Sequence, residues 1–170
     1  MPTQHAVLSA SSSNRWIHCP PSVRLSEHFE NKSSPYAQQG TDAHTLCEYK
    51  LNKFIGNDVT DPTSTLEFYD EEMEQCAESY ATFVMEEVAK AKQTTVDPIV
   101  IVEQRLDFSR YVPDGFGTGD CLVIADGTLS VIDMKYGLGI LVDAYQNPQM
   151  MCYALGALEL FDGIYDIQEV

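Results

Sequence analysis

The sequence is poor in positive charge. Ten Lys and Arg stand against 26 Asp and Glu, a formal net charge of −16 over 170 residues. Binding to a phosphate backbone draws on Lys and Arg that release counterions, so a broadly basic nucleic-acid surface is excluded. Any such contact has to come from a local cluster (Arg15, Arg24, Lys53, Arg105 and Arg110 are the candidates), from metal ions or from a partner. No CxxC pair occurs among the five cysteines, Cys19, Cys47, Cys76, Cys121 and Cys152. That dispersion speaks against a zinc knuckle or a disulfide framework and for free thiols, with Cys47, Cys76 and Cys152 in helical patterns as small buried groups. No apolar run approaches the ~20 residues of a membrane span, and Met1 to Ala10 is too polar for a secretory signal. No repeat or low-complexity tract is visible. The expectation is a cytoplasmic protein with no membrane attachment.

What is present suits one globular domain covering residues 1–170. Hydrophobic residues make up 44% and charged residues 21%, and at this size a chain buries roughly 70% of its unfolded surface. Ser11-Ser12-Ser13 opens a short helix through Arg15-Trp16-Ile17, stopped at Cys19-Pro20-Pro21, with Trp16 as a core anchor. Gly40-Thr41 opens a second helix to about Phe54, where Ala43, Leu46, Cys47 and Leu51 recur at helical spacing and Gly56 follows as a stop. A third begins near Asp70, with Met73, Ala77, Tyr80, Val84 and Val88 as its apolar stripe and an acidic remainder. Strand patterns follow at Ile99 to Leu106, Asp120 to Ile124 and Leu129 to Asp133, with a Gly- and Pro-rich loop from Tyr111 to Gly119. Asn147-Pro148 starts a last helix to about Leu160, Gly163 breaks it, and Ile164 to Val170 reads as a strand. The chain stops inside that strand pattern, as a truncated or a minimal domain does.

Asp126-Gly127 is a strong hairpin signal. With these two as the turn, Asp120 lies opposite Asp133, Leu122 opposite Val131 and Ile124 opposite Leu129. Opposed residues have Cβ atoms about 5 Å apart on one face, and the two-residue period of a strand brings Lys135 to the same face. An apolar face therefore ends in two carboxylates and an ammonium. Opposed like charges are unfavourable, which leaves two readings: a divalent metal between the carboxylates, with oxygen ligands suiting Mg²⁺ or Mn²⁺, or a solvated Asp pair neutralised by Lys135. The other face (Cys121, Val123, Ile132, Met134) is also largely apolar. The hairpin is expected to be covered on both sides, in an α/β layered fold with a central mixed sheet.

Gly119-Asp120 followed by Ile132-Asp133-Met134-Lys135 resembles the Asp…(Asp/Glu)-x-Lys signature of the PD-(D/E)xK nuclease superfamily. Gly40-Thr41-x-x-His44 resembles the GTxxH helix of its RecB-like branch, Gln149-x-x-x-Tyr153 the QxxxY helix, and Ser13-x-x-Trp16-x-x-Cys19-Pro20 an N-terminal motif of the same branch. The order is the family's, the resemblance runs from about Ser9 to Tyr153, and it is nearest to phage-encoded members.

The resemblance implies a restriction-endonuclease-like αβββαβ core with N-terminal helices. It implies a metal-dependent deoxyribonuclease, an exonuclease of phage recombination or DNA processing, using Mg²⁺ or Mn²⁺. Asp120 and Asp133 would hold the ion, with His44 and the carbonyl of Met134, while Lys135 would position the attacking water and stabilise charge on the phosphate. Glu103 would support the site or a second metal, and Gln149 and Tyr153, on one helical face, would orient Lys135 or touch the DNA backbone. The blander alternatives are a core histidine at His44, an exposed Glu103 paired with Arg105, and Tyr153 as a packing aromatic. Some relatives carry an iron–sulfur cluster on one N-terminal and three C-terminal cysteines. No cysteine follows Cys152, so no cluster is expected. DNA is the implied partner, with a helicase or a recombination and annealing protein beside it, or further copies of the chain. Two other functions fit the same residues: an inactive nuclease-fold module that docks DNA or protein, and an interaction protein whose acidic helix from Asp70 imitates DNA.

Overall fold

The computed structural model describes residues 6–29, 34–137 and 141–170. Residues 1–5, part of the stretch read as lacking a secretory signal, lie outside the described residues. Three elements precede the core of the fold: a 3-10 turn at Ala10–Ser12, α1 (Ser13–His18) and α2 (Pro21–Ser26). The stop foreseen at Cys19-Pro20-Pro21 is a stop and a restart, because Pro21 at the first helical position suits a new helix. Trp16 is anchored by its indole N–H, which donates to the Ser9 carbonyl at 3.0 Å.

Helix α3 runs Pro35–Phe54. It starts a turn earlier than Gly40-Thr41 suggests. Ser34 caps it, its hydroxyl accepting from the Ala37 N–H at 3.2 Å, and Pro35 fills the first position. Helix α4 runs Glu71–Ala91, capped by Asp70. Its foreseen stripe is buried, and the exposed acids Glu71, Glu72, Glu78 and Glu86 cover the outside.

Three strands form one antiparallel sheet in the order β1 (Ile99–Asp107), β2 (Phe116–Ala125), β3 (Thr128–Ile132). The hairpin register is the expected one, with Leu122 opposite Val131 and Ile124 opposite Leu129. The sheet itself is antiparallel rather than mixed; parallel pairing is limited to an isolated bridge between Thr128 and Glu169. The segment Ile164 to Val170 is therefore not a strand along its length. Helix α5 extends over Pro148–Tyr165, past Gly163, and ends at Asp166 in a left-handed conformation (φ 47°). A single exposed glycine in a last turn weakens a helix by about 1 kcal/mol, too little to break it.

Phe116 to Gly119, read as loop, is strand. Its glycines serve packing: a Cβ on Gly117 would sit 2.7 Å from Cε1 of Tyr153. Gly156 does the same for α5, which lies so close to β1 that a Cβ there would be 3.0 Å from Cβ of Leu106.

The sheet divides two cores. Cys121, Val123, Val100 and Val102 pack with α3 and α4, while Leu122, Ile124, Ile101 and Leu106 pack with α5. Side-chain alternation changes phase partway along β1, since Ile101 and Leu106, five apart, face the same layer. The change falls at Glu103, whose φ is +54°.

Candidate metal centre

The β1–β2 ladder pairs Val102 with Cys121 and Gln104 with Gly119, and skips the rung between them. That rung holds Glu103 and Asp120. A glutamate at positive φ costs conformational energy, and here the kink brings its carboxylate beside that of Asp120. Helix α3 supplies the third member. His44, two turns into the helix and beside the buried Ala43 and Cys47, faces the sheet, with Nδ1 3.2 Å from Oδ1 of Asp120. One ligand atom from each of His44, Glu103 and Asp120 lies within 4.8 Å of the others.

Asp120 is buried at 9% exposure. Its second oxygen, Oδ2, accepts from the backbone N–H of Met134 at 2.6 Å. Regular pairing of β2 with β3 ends at Cys121–Ile132, so this side-chain bond replaces the expected rung between Asp120 and Asp133. Asp133 stands just past β3, its side chain 4% exposed, and forms an ion pair with Lys135. Gln149 of α5 donates through Nε2 to Oδ1 of Asp133 at 3.1 Å and to the hydroxyl of Tyr153 at 3.1 Å.

The electrostatics follow from crowding acids in a partly dry place. Desolvation, and then the charges of Asp120 and Glu48, push the Glu103 carboxyl up to about 7, although much of the residue is exposed. Burial, and then Asp120, raise that of Asp133 against the pull of Lys135. Burial alone lowers the basicity of His44, but the hydrogen bond and charge of Asp120, with the charge of Asp133, outweigh it and the net shift is upward. Beside burial, the charge of Asp120 contributes to all three shifts, and a cation placed there would offset that part.

The structure brings the expected site residues together in two adjoining groups. His44 and Asp120 come together as the motifs imply. Glu103, assigned a supporting place, joins them directly, while Asp133 and Lys135 form an adjoining pair. Met134 engages the site through its N–H. Gln149 reaches Asp133 rather than Lys135. Tyr153, buried at 5% exposure, packs on Gly117 and accepts from Gln149. Of the basic candidates, Arg110 is held by Glu159 at 2.9 Å, Arg105 lies over the Phe116 ring, and Lys53 is roughly 13 Å beyond His44 along α3.

Two residues had escaped sequence reasoning. Asp42, a charged residue on the buried face of α3, accepts from Gln38 Nε2 at 2.8 Å and from the Phe68 N–H at 2.8 Å, mooring the α3–α4 connection beside the site. A carboxylate between apolar helix positions was the available signal. Tyr80 of α4 lines the same cavity as His44, Glu103 and Asp120; within an apolar stripe it gave no signal.

Residues 5–170 match the family model described as "Protein of unknown function (DUF2800)". The chain belongs to that family. No solved structure matches it. Among the described residues no helix is long and apolar enough to cross a membrane.

Proposed function

We propose that this chain is a divalent-metal-dependent deoxyribonuclease of the PD-(D/E)xK type, related to the RecB-like exonucleases. The observation that carries the reading is the convergence of His44, Glu103 and Asp120 within 4.8 Å, with the Asp133–Lys135 pair alongside. The donor set fits Mg²⁺ or Mn²⁺: carboxylate oxygens with one imidazole, in a patch where burial and crowding push the carboxyl pKa values up. The order of elements, two helices, a three-stranded meander, a helix and a parallel bridge at Glu169, accords with an αβββαβ core.

When bound, the ion would polarise a phosphoryl oxygen and acidify water. The chain's own part is positional. Asp120 is fixed at both oxygens, by His44 and by the Met134 N–H. Gln149 fixes Asp133, which in turn holds the Lys135 ammonium at the edge of the site, 44% exposed. From there the ammonium can meet a phosphate and the water that attacks it. An exonuclease of phage recombination or DNA processing is the biological setting we infer, in the cytoplasm of a host, with a helicase or annealing protein as companion.

The net charge of −16 favours a second reading, a nuclease-fold docking module without activity. Mn²⁺-dependent degradation of end-labelled linear and circular DNA decides between them. Activity lost in both Asp133→Ala and Lys135→Ala, with folding retained, supports the nuclease. Cleavage that survives both substitutions sinks it. A wild-type protein that binds Mn²⁺ and leaves DNA intact supports the docking module.

A further inference from the structure

Tyr80 lies at the layer between α4, α3 and the sheet, 9% exposed. Its ring belongs to that core. Its hydroxyl is shielded from solvent and meets no hydrogen-bond partner among the described residues, which buried hydroxyls rarely tolerate. Tyr80 lines a small cavity with His44, Cys47, Glu48, Glu103 and Asp120. That cavity leaves no room for a water molecule, so a bridging water is not the missing partner. Burial, then neighbouring negative groups including Asp120 and Glu103, push the pKa of the phenol up, so it stays protonated and can donate.

The carboxylates that line the cavity with Tyr80 are Glu48, Glu103 and Asp120, and of these Glu103 and Asp120 converge with His44. Asp120 already has both oxygens engaged, one with His44 and one with the Met134 N–H. Glu103 is the other carboxylate of the converging trio that lines the cavity. A carboxylate that ligates a cation through one oxygen offers its second to a hydrogen-bond donor, and such donors fix ligand orientation.

We propose that Tyr80 is a positioning residue of the metal centre, its hydroxyl donating to the free oxygen of Glu103 when that carboxylate ligates a divalent cation. This rests on the metal reading above. It assigns to α4, which carries none of the nuclease-like motifs, a part in the site. It also supplies a partner for a buried hydroxyl that has none among the described residues.

The test is Mn²⁺ binding to the full chain by calorimetry, with the metal alone as probe. Tyr80→Phe keeps the ring and removes the donor. Its Mn²⁺ affinity is expected to fall about 10–100-fold, while its melting temperature without metal stays equal or rises. Glu103→Gln is expected to weaken binding too, and adding Tyr80→Phe to it to cause no further loss. Wild-type affinity in Tyr80→Phe, with binding abolished by Asp120→Ala, overturns this inference and leaves the metal site standing. Losses that simply add in the double variant also overturn it, whatever the stability of the single one. No Mn²⁺ binding by the wild type overturns both.

Discussion

Glu103 and Asp120 face each other across neighbouring antiparallel strands at the one rung the β1–β2 ladder skips. Two carboxylates opposed in this way repel, and the chain adopts positive φ at Glu103 to place them there. Strain and repulsion spent at one point are common where a ligand later repays them.

The repulsion makes stability depend on pH. The Glu103 carboxyl rises from 4.5 to about 7 on folding. The unfolded chain thus releases this proton at lower pH than the folded one, and folding is penalised increasingly from pH 4.5 to about 7 and fully above it. Glu103→Gln removes the penalty. Without metal, the variant is expected to melt above the wild type at about pH 8 and level with it below pH 4.5. Scanning fluorimetry across that range checks the difference; a constant offset at every pH rejects this origin.

Gln149 ties Asp133 to Tyr153. Gln149→Ala is expected to cost about 1 kcal/mol of stability, and to lower Mn²⁺-supported DNA cleavage about 10–100-fold. Turnover at saturating Mn²⁺ separates this from weaker metal binding. Cleavage equal to wild type means that Asp133 needs no such guide.

Gly156 and Gly40 are both helical glycines, and replacing either with Ala should help by about 1 kcal/mol on propensity alone. At Gly156 the new Cβ meets Leu106 Cβ at 3.0 Å and the Asp107 amide nitrogen at 3.2 Å. Gly156→Ala is therefore expected to destabilise, by about 1–3 kcal/mol, seen as a lower urea midpoint at unchanged slope. A rise in midpoint means that α5 slides away from β1 at little cost.

Gly40 offers the opposite case. Nothing lies within 4 Å of a Cβ there, so Gly40→Ala is expected to raise stability by about 1 kcal/mol. Urea unfolding of both glycine variants in parallel gives the two signs. Destabilisation at Gly40 means that something covers this turn of α3.

Much of this arrangement was legible in the residues. The Asp126-Gly127 turn fixed the hairpin register, because a two-residue turn leaves one pairing that buries both faces, and the register brought Asp120 toward Asp133 and Lys135. What the hairpin could not show was where the β3 ladder ends, and the last rung is a side-chain bond to the Met134 N–H. Glu103 was visible as an acid on a strand, but its place beside His44 and Asp120 depends on a kink at φ +54°, and no local pattern encodes that. Gly117 and Gly119 read as loop since glycine signals turns; close packing against Tyr153 and Leu106 is a tertiary demand. Tyr80 falls in the apolar stripe of α4, and its ring belongs to the core between α3, α4 and the sheet.

The mooring of Phe68 to Asp42 divides the α3–α4 connection into two unequal parts. Asn57 to Thr60 is exposed throughout, and lengthening a surface loop costs only about 0.6 kcal/mol per doubling. Foreign sequence spliced in there is expected to leave His44, Glu103 and Asp120 in place. At Phe68 the backbone is tied two residues from His44, so a shift of even one position drags the imidazole's helix with it. The connection is thus an insertion site with a fixed downstream border, and Phe68 marks that border.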